Sequence, residues 1–414
     1  MKVSIIGGGV IGLSCAYFLS QAGIEVAVFD QGDLESGCSY GNAGMIVPSH
    51  FIPLAAPGMI QQGIKWMFDP ESPFYIRPRL NLDLFSWAWQ FYRAANEKQV
   101  KKAMPVLRDL SLLSKQLYRQ LADNPAFDFA FAEHGLLMLY KTAKMEAEEQ
   151  EVAEKAQQLG IEAHVLDGAA VQQMEPHLSL DVRGGVYYPG DAHLAPEQFL
   201  QALKTQLRQA NVSLFSLTTV QGIEYHQDKI KAIQTSTGRF AVDQLLIAGG
   251  AWSPSLTKLL QIHLPLQAGK GYSITLNNPP QKPNYPAILS EAKVAVTPLP
   301  DGLRFGGTME IGGINHTINP RRVKGILQSI PQYLPDFSIA LPPLETVWHG
   351  LRPCSPDGLP YIGRISRFSN LLLASGHAMM GLSLAPATGH LITQMLQNKK
   401  TDLPLTAFTP DRYS

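Results

Sequence analysis

The stretch Val3-Ser4-Ile5-Ile6-Gly7-Gly8-Gly9-Val10-Ile11-Gly12 lies near the start of the chain and decides its fold. Its apolar half predicts a buried strand, and its glycines predict a tight turn into a helix over residues 13–21. Gly23 predicts the end of that helix, and residues 24–29 predict a second strand that stops at Asp30. Strand, turn, helix and strand together indicate a βαβ unit.

The glycines of this stretch have the spacing G-x-G-x-x-G, formed by Gly7, Gly9 and Gly12. The first allows the tight turn, the second lets the backbone approach a pyrophosphate, and the third lets the helix pack closely on the strand. Asp30 is placed to accept hydrogen bonds from both hydroxyls of a ribose, and its charge would repel a 2′-phosphate. The unit therefore predicts one site for NAD or FAD, because no other glycine cluster repeats this spacing.

Composition and charge restrict the class of protein. The 414 residues are 45% hydrophobic and 16% charged, which predicts a globular protein of two or three domains, or one large fold with a second lobe. The 34 basic and 34 acidic side chains cancel, so bulk nucleic-acid binding is disfavoured. Because Cys15, Cys38 and Cys354 stand far apart, we expect neither a disulfide framework nor a metal site.

The same features predict the location of the protein. No basic leader precedes the first apolar run, and isolated cysteines fit a reducing compartment, so we expect a cytoplasmic protein. No run of about 18 apolar residues is present that would span a membrane. Residues 51–68 combine aliphatic and aromatic side chains with few charges, which leaves peripheral contact with the inner face of a membrane open.

The rest of the chain predicts a second, different lobe. Short strands separated by proline and glycine clusters indicate a mostly antiparallel region over residues 265–347. Residues 370–396 return to a strand, a glycine turn and a helix, which fits the N-terminal unit. Between these regions, helices are expected at residues 145–159 and 196–209, and strands at residues 212–225, 230–237 and 240–248.

Taken in order, several segments resemble the FAD-dependent D-amino-acid dehydrogenase family, in the wider group of D-amino-acid oxidase, glycine oxidase and sarcosine oxidase. The segments are residues 5–12 with Asp30, residues 39–44, 246–253, 304–310, 348–353 and 356–363, and Gly376-His377 with Gly381. The resemblance implies an α/β (α+β) fold in which a Rossmann-type FAD-binding domain is interleaved with a mostly antiparallel substrate domain. The FAD-binding domain would comprise residues 1–85, 150–260 and 345–414, and the substrate domain residues 86–149 and 261–344.

The resemblance also implies how FAD is held. Cys354 does not match the cysteine that binds flavin covalently in sarcosine oxidases, so non-covalent FAD is expected. Val220 would meet the adenine through its backbone, and residues 376–383 would line the isoalloxazine ring. The complete set of expected cofactor contacts is Gly7, Gly9, Val10, Ile11, Gly12, Asp30, Gln31, Ser39, Asn42, Ala43, Gly44, Val220, Ala248, Gly249, Trp252, Gly350, Gly376, His377, Gly381, Leu382 and Ser383.

For the substrate, the resemblance assigns Arg352 to the carboxylate of an amino acid, since a guanidinium donates two parallel hydrogen bonds to it. Without the family, a surface ion pair of Arg352 with Asp357 or Glu345 would be the simpler interpretation. Tyr272 is expected beside the substrate as a hydrogen-bond donor or a pocket wall. His50, Met45 and Met380 are further pocket candidates, and Met379 with Met380 favours a neutral or proline-like side chain.

The implied activity is oxidative deamination of a D-amino acid to its imine and 2-oxo acid, by hydride transfer from Cα to flavin N5. Electrons would pass to a quinone or an electron carrier. The stereochemistry comes only from the resemblance, and self-association stays open. The alternatives are a glycine, sarcosine or D-amino-acid oxidase that uses dioxygen, an FAD module in tRNA modification, which zero net charge disfavours, and a nicotinamide dehydrogenase.

Overall fold

The computed structural model describes residues 1–58, 63, 72–77, 79–279 and 281–413. Of the stretch 51–68, for which membrane contact is open, residues 59–62 and 64–68 lie outside the described part. Within the described residues, no helix has both the length and the apolar composition needed to cross a bilayer.

The described residues form twenty strands and nine α-helices. The strands are β1 Lys2–Ile6, β2 Glu25–Phe29, β3 Met45–Ile46, β4 Phe74–Ile76, β5 Leu136–Tyr140, β6 His164–Asp167, β7 Gly184–Tyr188, β8 Ala192–His193, β9 Ser213–Phe215, β10 Val220–His226, β11 Lys229–Thr235, β12 Gly238–Ala241, β13 Gln244–Ile247, β14 Gln267–Asn277, β15 Ala287–Leu289, β16 Val294–Leu299, β17 Gly302–Ile311, β18 Trp348–Cys354, β19 Tyr361–Arg364 and β20 Leu371–Ser375. The α-helices are α1 Val10–Gln21, α2 Leu82–Ala94, α3 Glu97–Ala122, α4 Ala143–Gln158, α5 Gly168–Met174, α6 Pro196–Gln209, α7 Ser253–Lys258, α8 Pro320–Tyr333 and α9 Gly381–Leu396. Short 3₁₀ turns occupy Gly250–Trp252, Leu344–Thr346, Ala378–Met380, Thr406–Phe408 and Pro410–Tyr413.

The first sheet has six strands in the order β19-β20-β13-β1-β2-β9. All neighbours are parallel except β19 and β20, and Ile6 of β1 pairs with both Phe29 and Ile247. The predicted βαβ unit is present, with β1 at the centre. Parallel strands buried on both faces are apolar along their length, which is why these short runs read as strands.

The second large sheet follows the order β18-β14-β17-β16-β15-β5-β7-β6, with β4 paired to β17. It is antiparallel except where β15 meets β5 and β17 meets β4. The prediction of a mostly antiparallel lobe over residues 265–347 is therefore confirmed. Two smaller sheets, β10-β11-β12 and β3-β8, complete the architecture.

Two predicted strands are each divided in the structure, because the chain leaves one sheet for another. Residues 212–225 form β9 and β10, separated where Leu217 adopts a φ of 50°. There, Thr218 donates to the carbonyl of Asp30 at 2.7 Å. Residues 240–248 likewise hold the end of β12 and then β13, which lie in different sheets.

The division into two domains stays a prediction. Several segments pack with the other lobe than the one expected for them, among them β4 and β18, which join the antiparallel sheet although residues 1–85 and 345–414 were expected to bind FAD. Strands β6 and β7 join the antiparallel sheet, although residues 150–260 were expected to bind FAD. Helix α3 packs Leu107, Leu110 and Tyr118 into the core that surrounds β1, although residues 86–149 were expected with the substrate lobe.

Candidate active site

A cavity of about 1070 Å³ runs from the glycine turn after β1 to the strands β14, β17 and β18. One end lies at the carboxyl ends of β1, β2 and β13, where open parallel sheets bind nucleotides. The volume is at the upper limit of the roughly 300–1000 Å³ found for pockets that hold one small ligand. The cavity therefore suits an extended ligand together with a second, smaller molecule.

The glycine turn has the geometry of a dinucleotide site. The amide of Gly8 donates to Asp30 Oδ2 at 2.5 Å, and the amide of Gly32 donates to Asp30 Oδ1 at 2.7 Å. These bonds fix the carboxylate at the end of β2. A Cβ on Gly12 would lie 1.9 Å from the carbonyl oxygen of Gly7, so only glycine lets the N-terminus of α1 come this close to the turn.

The structure brings most of the expected cofactor residues to the wall of this cavity. Those in the wall are Gly7, Gly9, Val10, Ile11, Asp30, Gln31, Ser39, Asn42, Ala43, Val220, Ala248, Gly249, Trp252, Gly350, His377, Gly381 and Leu382. Gly12, Gly44, Gly376 and Ser383 are behind the wall. Their contacts are internal, since the Gly44 carbonyl accepts from Leu194 and the Ser383 hydroxyl accepts from Val47.

Buried polar atoms beside the cavity also fit a bound cofactor. His377 Nδ1 and Thr308 Oγ1 are buried and find no hydrogen-bond partner among the described residues. His377 Nε2 lies 3.0 Å from the hydroxyl of Thr388, which itself donates to the carbonyl of Leu384. Thr388 thus accepts from Nε2–H, and His377 Nδ1 is left as an acceptor. Burial lowers the pKa of His377 to about 3, so the ring is neutral at physiological pH.

Arg352 lies in β18 at the other end of the cavity. Its Nη1 donates to the carbonyl of Thr308, and an added Cβ on Gly271 would meet the guanidinium at 2.3 Å. Gly271 therefore leaves the space that the guanidinium occupies. Burial lowers the pKa of Arg352, yet an arginine stays charged at physiological pH.

No carboxylate among the described residues pairs with Arg352. The simpler interpretation of a pair with Asp357 is wrong, because Asp357 pairs with Arg412 at 2.8 Å. A desolvated, unpaired guanidinium is costly and attracts an anionic ligand. An anionic group would therefore be favoured at this end of the cavity.

Tyr272 faces the cavity, but its hydroxyl is already bonded. It donates to Glu310 Oε2 at 3.3 Å and accepts from the amide of Asn319 at 3.1 Å. Burial raises its pKa well above the ordinary value. We therefore assign the ring of Tyr272 to the pocket wall and its hydroxyl to the support of that wall.

The three pocket candidates His50, Met45 and Met380 also line the cavity. Met45 and Met380 belong to one apolar cluster with Val47 and Leu136. Burial and the nearby charge of Lys293 lower the pKa of His50 to about 4, so its imidazole is neutral at physiological pH.

Sequence reasoning missed several residues of this site. Thr308 lines the cavity with a φ of 65°, although it is not glycine. Ala378, which belongs to the segment 376–383 expected to line the isoalloxazine ring, also lines the cavity, and its φ of 47° was not expected. Such conformations are strained and often mark functional sites. Ser49 and Asp191 were missed because they lie 142 positions apart, yet they are hydrogen-bonded in the structure. In the sequence, only Gly306 and Gly307, which precede Thr308 in β17, hinted at this wall.

Comparison with known proteins agrees with this geometry. The family model described as "FAD dependent oxidoreductase" matches residues 2–395. A D-amino acid dehydrogenase of Granulibacter bethesdensis is 31% identical over 422 residues, which covers 100% of both chains. One of Neisseria meningitidis is 29% identical over 423 residues, again over 100% of both chains.

Solved structures show the same fold. Glycine oxidase from Geobacillus kaustophilus superimposes with a TM-score of 0.79 at 24% identity, over 100% of this chain and 99% of that one. L-Proline dehydrogenase from P. horikoshii gives a TM-score of 0.73 at 18% identity, over 100% and 97% of the two chains. With its dinucleotide turn, its acidic residue at the end of β2 and a family match over nearly its full length, this chain belongs to the FAD dependent oxidoreductases and uses FAD as its cofactor.

Proposed function

We propose that this protein oxidises a small, neutral or proline-like D-amino acid and passes the electrons to a quinone or an electron carrier. The observation that carries the proposal is the unpaired guanidinium of Arg352, which lies in the same cavity as the dinucleotide turn. The curated relatives named D-amino acid dehydrogenase support the choice of amino acid and of enantiomer.

Bound non-covalently, FAD supplies the hydride acceptor for this reaction. Arg352 contributes orientation, since two parallel hydrogen bonds to a carboxylate fix the plane of the amino acid and so aim its Cα–H. Its charge in a site shielded from water lowers the pKa of the substrate amine, which must be neutral before hydride can leave. A dedicated protein base is therefore not required.

The wall around Arg352 supports a small apolar side chain. Sulfur and hydrocarbon dominate it, with Met309 Sδ at 4.0 Å from Arg352 Nη1. Methionines adapt to different shapes. Further apolar residues of the same cavity are Met45, Val47, Met138, Ile288 and Met380, and the charged Lys293 also lines it.

An exposed aromatic face supports contact with the membrane in which quinones dissolve. Helix α2 buries Leu84 and Trp87 beside this end of the cavity, and Trp87 Nε1 donates to the carbonyl of Cys354 at 2.9 Å. Its other face exposes four large apolar side chains, namely Leu82 (86%), Phe85 (58%), Trp89 (61%) and Tyr92 (61%). These positions share one side of a helix, as i, i+3, i+7 and i+10.

Charges next to this face complement an anionic lipid surface. Exposed basic residues lie at the end of the helix and after it, at Arg93, Lys98, Lys101 and Lys102, and outnumber the exposed acidic residues Asp83 and Glu97. Each basic residue near such a surface contributes about 1 kcal/mol of binding free energy. We propose that α2 lies on the inner face of a membrane, so that a cytoplasmic enzyme can deliver electrons to a quinone.

Flotation with vesicles of phosphatidylglycerol and phosphatidylcholine tests this contact. We expect the FAD-loaded enzyme to float with the vesicles, and the Phe85→Ser/Trp89→Ser/Tyr92→Ser variant to stay at the bottom. Leu217→Ser/Tyr225→Ser is the matched control, because those side chains are exposed elsewhere, to 68% and 38%. Equal flotation of both variants contradicts the proposal, as does a wild-type enzyme that self-associates through this face and does not float.

Anaerobic bleaching of the flavin tests the reaction itself. We expect D-alanine or D-proline to bleach the yellow protein, and its colour to return slowly in air but rapidly on addition of a quinone. Bleaching by glycine, sarcosine or L-amino acids alone contradicts the proposed substrate. Rapid recovery in air indicates an oxidase and contradicts the proposed acceptor.

A further inference from the structure

Three polar side chains form a chain from the protein interior to the cavity. Asp191 is fully buried, and it accepts from the amide of Ser49 at 3.1 Å and from the hydroxyl of Ser49 at 2.5 Å. The same hydroxyl lies 3.1 Å from His50 Nδ1. The chain therefore links Asp191, Ser49 and His50, and His50 lines the cavity.

The order of these bonds determines which nitrogen of His50 carries the proton. A serine hydroxyl has one hydrogen to donate, and here the carboxylate of Asp191 takes it. The hydroxyl oxygen can then only accept from His50, so Nδ1 carries the hydrogen and Nε2 has a free lone pair. Among the described residues, nothing hydrogen-bonds to His50 Nε2.

His50 and Arg352 line the same cavity. Four residues after His50, Leu54 packs against the cluster that contains Met309. Met309 in turn contacts Arg352. The backbone between His50 and Leu54 spans at most about 14 Å.

The groups around the chain act on its protonation. Burial of the ring and the charge of Lys293 oppose protonation of His50. Burial raises the pKa of Asp191 to about 7, while the hydrogen bonds from Ser49 and the charge of Lys115 lower it, so the carboxyl is ionised and the tautomer of His50 is fixed above that pH. Tyr188 is the other titratable group that interacts with Asp191.

We propose that Asp191 and Ser49 hold His50 so that its Nε2 accepts a hydrogen bond from the amino group of the substrate whose carboxylate Arg352 binds. The inference rests on the proposed function and names the second point of recognition. His50 contacts the substrate, whereas Ser49 and Asp191 are positioning residues that act through it. Arg352 would donate to the carboxylate and His50 would accept from the amine. Together they would select an α-amino acid over a carboxylic acid that has no amino group.

The experiment compares the preferred amino acid with its analogue that lacks the amine, which is propionate for alanine or cyclopentanecarboxylate for proline. The FAD-loaded variants are His50→Ala, His50→Gln, Ser49→Ala and Ser49→Ala/His50→Ala, with the exposed His226→Ala as control. Amino-acid oxidation is measured as kcat/KM by anaerobic stopped flow. Binding of the analogue is measured as Kd from the change in the flavin spectrum.

We expect His50→Ala to lower kcat/KM by about 10- to 100-fold while the Kd of the analogue changes less than about twofold. Without the Ser49 hydroxyl, nothing holds the hydrogen of His50 on Nδ1, so we expect Ser49→Ala to lower kcat/KM by a similar factor. The Ser49→Ala/His50→Ala variant should lose no more than either single variant. His50→Gln, which keeps an acceptor oxygen, should recover part of the rate.

Two results overturn the inference: unchanged kcat/KM in His50→Ala, or equal losses for the amino acid and for its analogue, which would show a packing role. Additive losses in the double variant would overturn the positioning role of Ser49. If no amino acid bleaches even the wild-type flavin while the analogues still bind, the proposed function fails instead.

Discussion

At the scale of single residues, Arg352 is the group on which the proposed chemistry depends most. We expect Arg352→Lys to lower kcat/KM at least about 100-fold and Arg352→Ala about 1000-fold, with flavin content unchanged. A lysine keeps the charge but loses the planar fork, and it cannot also bond to the carbonyl of Thr308 in the same geometry. Stopped-flow reduction of the flavin measures both effects.

The control for this prediction is Arg239→Lys, since Arg239 forms an exposed pair with Glu224 at 2.7 Å. That variant should keep full activity, because exposed ion pairs contribute little. Wild-type kcat/KM in a fully flavinated Arg352→Lys variant would show that the carboxylate is bound elsewhere.

At the scale of elements, the packing of α1 on the turn after β1 decides whether the cofactor binds. Gly12→Ala would place a Cβ 1.9 Å from the carbonyl oxygen of Gly7, so the first turn of α1 must move away from the phosphate site. We expect a loss of about 2–4 kcal/mol in the free energy of unfolding and at least a tenfold loss in FAD affinity. Denaturant unfolding and flavin fluorescence measure the two quantities.

Gly190→Ala is the matched control, because an added Cβ there meets nothing within 4 Å. It should leave both quantities unchanged. Normal FAD affinity in Gly12→Ala would mean that the helix N-terminus does not support the cofactor.

At the scale of the whole molecule, buried histidines make stability depend on pH. Their pKa values are lowered by burial from 6.5 to about 4 in His50, about 4 in His193 and about 3 in His377. The unfolded chain therefore binds more protons than the folded one between about pH 6.5 and pH 4, so acid favours unfolding. Burial raises the pKa of Asp191 from 3.8 to about 7, which has the opposite sign over this window.

Three histidines outweigh one aspartate, so we expect the free energy of unfolding to fall by on the order of 3 kcal/mol from pH 7 to pH 5. Calorimetry of the FAD-loaded enzyme measures the change as a drop in Tm. His193→Gln should make the drop shallower, whereas the exposed His226→Gln should not change it. A Tm that is constant, or that rises toward pH 5, would contradict the assignment of neutral buried rings.

The dinucleotide half of the site is local in sequence, and sequence was therefore sufficient to predict it. Strand, glycine turn and helix follow within β1 and α1, and Asp30 comes directly after the next strand. Backbone conformation and short-range packing determine such a unit, and both depend on residues that are neighbours along the chain. The antiparallel lobe was predictable for the same reason, from short apolar runs between proline and glycine clusters.

The substrate half was decided by contacts between distant segments. Arg352 is unpaired because Asp357 pairs with Arg412, and His50 has a defined tautomer because Asp191 reaches Ser49 from 142 positions away. Thr308 adopts its left-handed conformation inside a strand where no sequence signal calls for glycine. By itself the sequence determined the family and the βαβ unit. Only the tertiary structure decided which charges stay unpaired and where protons lie, because burial and hydrogen-bond partners exist only once the sheets have packed together.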